Sequence, residues 1–159
     1  MGGMPSNKKP RKKYRPKYAQ GQIPVTIRHN DEDDYYLRVI PHQELESLRN
    51  GQADEVSINT LTVRLNWAYV MAGEVFDNPE ALVITEKGLA AIRAVIERFK
   101  RVGKCGATGQ EFHDIGESLS LADEMQKSAT RREQLESLRI VMAVNDRKRK
   151  EINENSNMA

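Results

Sequence analysis

The chain has 159 residues and a single cysteine, long enough for one domain to bury a core without disulfides or structural metal. Charged residues make up 30% and the formal net charge is +2, but that sum hides a division: residues 1–17 hold seven Lys or Arg and no acid, while the rest holds 18 basic against 23 acidic residues, a balance of −5. With one thiol and no apolar run of about 18 residues, the sequence excludes a disulfide scaffold and a membrane-spanning helix; the basic start leads into Tyr18-Ala19-Gln20-Gly21 and no apolar signal core, so a cytoplasmic protein is expected.

Residues 1–21 combine the basic cluster with Gly2, Gly3, Pro5, Pro10 and Pro16 and predict a disordered tail. Ile23 to Arg28 and Tyr35 to Ile40 are rich in β-branched and aromatic residues and flank the polar stretch His29-Asn30-Asp31-Glu32-Asp33-Asp34, a pattern that predicts a small β-hairpin around an acidic loop. Two strands alone are marginal in water, so Val25, Ile27, Leu37 and Val39 are expected to pack on helices. Pro41 should open a short helix through about Leu48, stopped by Asn50-Gly51.

A long helix is expected from near Asp54 to Phe76. Ile58, Leu61, Leu65, Ala68, Ala72 and Val75 recur at spacings of three and four on one face, and Val63, Trp67 and Val70 supply a second apolar face. Such a helix should be central, contacted on two sides, and leaves a homo-oligomer as open as a monomer core. Pro79 ends it. A further helix runs from about Glu86 to Val102 on Leu89, Ile92, Ile96 and Phe99, with Gly103 as its stop.

Thr108 with Glu111 and Thr130 with Glu133 have capping-box spacing and start two more helices, the first carrying Phe112, Ile115, Leu119, Ala122 and Met125 and the second Leu135, Leu138, Val141 and Met142. A single kinked helix over 109–152 is the alternative. Residues 153–159 are polar and should fray. The expected architecture is mainly α: a bundle of about four or five helices over residues 22–152 with an N-terminal hairpin.

The leading candidate site is the tail itself. Lys8, Lys9, Arg11, Lys12, Lys13, Arg15 and Lys17 lie on a stretch that Pro10 and Pro16 keep from forming one helix, so the charges suit phosphates, while Tyr14 and Tyr18 suit stacking on unpaired bases. DNA or RNA is the expected partner. A nuclear-import signal, an anionic membrane surface and a solubilising tail lying on its own acidic loop are alternatives. A second basic run, Arg147-Lys148-Arg149-Lys150, is read as a solvated helix end, since cations suit the negative pole of a helix.

The other motifs favour structural explanations. Gly103-Lys104-Cys105-Gly106-Ala107-Thr108-Gly109 lacks a P-loop ending and fits helix termination plus capping. Cys105 beside Lys104 is a candidate for mild thiol reactivity. His113 and Glu117, with Glu111 and Asp114 nearby, fall short of a metal site because no second histidine cluster joins them; His29 and His42 stand alone. Trp67 and Tyr69 suit a core more than a ligand groove. No hydrolase, zinc or dinucleotide fingerprint is present. A non-enzymatic protein without cofactor or metal is expected.

The Lys8-Lys9-Pro10-Arg11-Lys12-Lys13-Tyr14-Arg15-Pro16-Lys17 tail, the extended stretch after it and Asn50-Gly51-Gln52-Ala53 leading into helices resemble small uncharacterised proteins encoded by bacterial phages and prophages. The resemblance implies a mobile-element accessory protein in a bacterial cytoplasm and carries no site residues with it. It also removes the nuclear-import reading. The second function class is a protein-binding module or inhibitor of a host protein that works through the acidic body, with Asp31, Glu32, Asp33 and Asp34 mimicking nucleic-acid charge.

Overall fold

The computed structural model describes residues 31–158, the first three by backbone alone. They form five α-helices, α1 (Asp31–Arg49), α2 (Glu55–Val70), α3 (Pro79–Val102), α4 (Gly109–Ser128) and α5 (Arg131–Asn157), with a π-turn over Met71–Val75 extending α2. No strand occurs among the described residues, and no described helix is long and apolar enough to cross a membrane.

The expected hairpin is affected at its second half. Its first strand, Ile23 to Arg28, lies outside the described residues, as does the 1–21 tail; Tyr35 to Ile40 are helical, within α1. Strand propensity there yields to packing, because Leu37, Pro41, Leu45 and Leu48 follow helical spacing and Pro41, Leu45 and Leu48 are buried against the bundle. Pro41 therefore sits inside α1 instead of opening it, removing one backbone donor without ending the helix. The backbone of residues 31–34 forms the first turn of α1 and not a loop.

Local chemistry sets the other boundaries. Past Arg49, the N–H of Gly51 donates to the Leu48 carbonyl (3.4 Å) and that of Gln52 to Ser47 (2.8 Å), with Gly51 at φ 70°, a left-handed closure that glycine adopts without steric cost. Asp54 and Ser57 exchange backbone and side-chain hydrogen bonds at the start of α2. Asn78 accepts from the N–H groups of Glu80 and Ala81, so α3 begins at Pro79, seven residues before the expected Glu86. Pro79 acts as a first-turn residue as well as a stop for the preceding helix. Thr108 and Glu111 make the reciprocal cap expected of α4, and Thr130 accepts from the Glu133 N–H to start α5. The break at Ala129–Thr130 makes two helices where one kinked helix was the alternative. α5 continues through Asn157, past Ile152.

α2 is central, touching α1, α3, α4 and α5. Leu61 and Leu65 meet Leu45 and Leu48 of α1, Leu89, Ile92 and Val95 of α3, and Ile115 and Leu119 of α4. A second cluster joins Trp67, Ala68, Met71 and Ala72 to Ala81, Ala122, Met125 and Val141. The two clusters follow one another along α2: Trp67 and Val70 of its second apolar face join the later one, whereas Val63 is only half-buried. The arrangement leaves α5 on the outside, resting on α2 and the π-turn.

Candidate functional site

Lys8, Lys9, Arg11, Lys12, Lys13, Tyr14, Arg15 and Lys17 lie outside the described residues. The body nevertheless changes the reading of the second basic run. Because α5 extends to Asn157, Arg147–Lys150 stand about two turns before its end, and no basic residue occupies the last turn. Compensation of the helix pole does not explain them there.

α5 is anchored near its start. Trp67 Nε1 donates to the Gln134 carbonyl (3.3 Å), the Ser137 hydroxyl to the Met71 sulfur (2.9 Å), and Arg131 pairs with Asp34 (3.2 Å). Val141 is its last buried side chain; residues 142–158 are exposed. Successive residues on a helix turn by about 100°, so four consecutive cations surround most of the circumference. Asp146, Glu151 and Glu154 flank them at ion-pair spacing, which supports an exposed helix.

Between α5 and the π-turn lies a hollow of about 430 Å³. Val70, Leu82, Ile140, Val141 and Val144 give it apolar walls, and Asn66, Tyr69, Glu74, Asn145 and Lys148 bring polar groups to it. The π-turn shapes this end of α2: the Phe76 N–H reaches back to Met71 (3.1 Å), which inserts an extra residue per turn and sets Gly73 against Leu82. Asp77, at φ 44°, then redirects the chain into α3.

A second groove, of about 660 Å³, opens where Tyr36, Leu37, Ile40 and Pro41 of α1 face Asn59, Thr60 and Val63 of α2. Arg64 also lines it, and its guanidinium is tied to α4. Its Nη2 donates to Asp123 (2.9 Å) and Gln126 (2.7 Å), and the guanidinium lies 4.7 Å from the Trp67 ring centroid. Burial pushes the Arg64 pKa down, opposed by Asp123. The other carboxylate oxygen of Asp123 contacts His42 Nε2 at 2.8 Å, joining α1, α2 and α4. These pairings make the network a structural cross-brace. Sequence reasoning missed it, although a charge inside the apolar stripe of α2, between Leu61 and Leu65, was a usable signal.

The remaining candidates resolve into structure. Gly103, at φ 76°, closes α3, and Arg98 ties the following loop by donating to the Gly106 carbonyl (2.9 Å) and in a two-pronged pair to Glu111 (2.6 and 3.0 Å). That pair holds the Glu111 carboxyl below its ordinary range and raises Arg98. Burial, with the charge of Asp54 adding to it, pushes the Cys105 thiol up, which works against the thiolate that reactivity requires. His113, Asp114 and Glu117 share an exposed face of α4, with ligand-type atoms within 4.8 Å of one another, while Glu111 is committed to Arg98. His42 is committed to Asp123, and His29 lies outside the described residues.

No protein-family model matches the chain, and neither a curated protein nor a solved structure matches it.

Proposed function

We propose that this chain is a non-catalytic nucleic-acid-binding protein of the phage accessory type, whose basic N-terminal tail grips phosphates while the helical body fixes orientation. The observation that carries the reading is the charge division: seven cations and no acid in residues 1–17, against −5 in the remainder. A polyanion attracts such a segment by releasing its own condensed counterions, a gain that needs no fixed geometry in the protein. The exposed Arg147–Lys150 run on α5 adds a second cationic feature to the body.

The test is binding of duplex and single-stranded oligonucleotides by the full chain and by a variant with Lys8, Lys9, Arg11, Lys12, Lys13, Arg15 and Lys17 all changed to Gln. The reading predicts a large loss in the variant; equal affinity of the two proteins overturns it.

The groove between α1 and α2 favours a second reading, a protein partner held by the body. Tyr36, Leu37 and Ile40 leave apolar surface open there, and an adjoining hollow continues it to Leu135 and Leu138 of α5. Partner capture that survives nuclease treatment and tail neutralisation, and is lost in Leu37→Glu, supports this reading over the first.

A further inference from the structure

We infer that the hollow between the π-turn and α5 receives one unpaired base of a single-stranded nucleic acid, with the neighbouring phosphates held by the Arg147–Lys150 run. The inference rests on the nucleic-acid reading above and narrows it to a strand class and to a site on the helical body.

Lys148 provides the link, because it belongs to the basic run and also lines the hollow. It follows Val141 by about two helical turns, so the two share one face of α5, directed toward the π-turn. Arg147 and Arg149 diverge from that face by about 100° on either side. A strand crossing α5 would therefore meet cations on both sides of the point at which a base enters.

The lining suits a base better than an aliphatic ligand. Tyr69, 38% exposed, is among the lining residues and supplies a ring on which a base can stack, beside valine and leucine walls. Asn66 and Asn145 bring amides that match the mixed donors and acceptors of a base edge. One Asn66 N–H is held by the Thr62 carbonyl (2.9 Å), which fixes the orientation of that amide. The Glu74 carboxylate repels phosphate from the hollow itself and accepts from exocyclic amino groups, so adenine, cytosine and guanine are favoured over thymine and uracil. At about 430 Å³ the space lies within the range of small-ligand sites. Bases stacked inside a duplex do not reach it.

The test uses full-length protein and fluorescence anisotropy on labelled deoxyadenylate, deoxycytidylate, thymidylate and cytidylate homopolymers and on a short duplex. Tyr69→Ala is expected to weaken the cytosine and adenine strands about tenfold or more and to leave duplex binding unchanged. Tyr69→Phe, which keeps the ring, should retain affinity, and Tyr35→Ala removes an exposed tyrosine elsewhere as the control. Equal affinity of wild type and Tyr69→Ala for every strand, or equal losses on single strand and duplex, overturns the inference. If the tail-neutralised variant loses binding while Tyr69→Ala retains it in full, this inference fails and the tail reading stands. If wild type binds neither form, both fail. Matching thermal melts for Tyr69→Phe and Tyr69→Ala ensure that a difference between them reports the ring.

Discussion

Gly88→Ala tests the packing that sets α3 against α4. Alanine is the better helix former by about 1 kcal/mol, so an exposed site would gain from the change. Gly88 is buried, and a Cβ there would lie 2.3 Å from Ser118 Oγ, 2.7 Å from Ser118 Cβ and 3.3 Å from Leu65 Cδ2. Ordinary carbon contacts are about 3.5–4 Å, so the two helices must part by about 1 Å or Ser118 must move. Ser118 is itself fully buried, and its hydroxyl donates to the Ile84 carbonyl at 3.0 Å, a bond that the displacement strains. Overpacking costs about 1–3 kcal/mol and the hydrogen bond about 1 kcal/mol. After the propensity gain the net loss is about 1–3 kcal/mol. For a chain of this size each kcal/mol moves Tm by about 2–4 °C. Urea and thermal unfolding measure it, and Gly88→Ala with Ser118→Gly should recover part of the loss by clearing both Ser118 atoms. A Gly88→Ala protein as stable as wild type would refute the close-approach argument.

Two further outcomes follow from charged pairs. The Glu111 pKa is depressed, first by its hydrogen bonds from Arg98, so its contribution to stability is fully present above about pH 4.5 and is lost as pH falls through the folded value. The stability deficit of Glu111→Gln, measured by urea unfolding, should therefore be full at neutral pH and shrink in acid; a constant deficit contradicts the pairing. Asp123→Ala leaves the buried Arg64 without its carboxylate and should cost about 3 kcal/mol, more than Arg64→Met combined with Asp123→Leu, with Arg64 then removed as well. Chemical denaturation of the single and double variants gives the comparison.

Most helix boundaries were legible because their signals are local. Thr108 with Glu111, Thr130, Asn50-Gly51 and Gly103 each satisfy backbone groups within a few residues of themselves, so sequence spacing reveals them. Tyr35 to Ile40 misled because β-branched and aromatic residues signal a pleated surface only when no helix partner competes. Here the spacing of Leu37, Pro41, Leu45 and Leu48 won. Pro79 signals an end more plainly than a start, and the β-branched run Val83-Ile84-Thr85 has low helix propensity, so the sequence points to a start near Glu86 although Asn78 caps α3 earlier. The π-turn has no spacing signature, and the Arg64–Asp123 pair joins residues 59 positions apart. The candidate site divides in the same way: the tail shows as charge in the sequence, whereas Tyr69, Asn145 and Lys148 meet only when α5 folds back onto the end of α2.

The most direct test of the nucleic-acid reading is the salt dependence of duplex affinity for the full chain and for the variant with all seven tail cations changed to Gln. Seven neutralised phosphates give a log–log slope of about −6 from the tail, so the variant should be shallower by that amount. Equal slopes, or a nearly flat slope for the full chain, would contradict phosphate contact by Lys8 to Lys17.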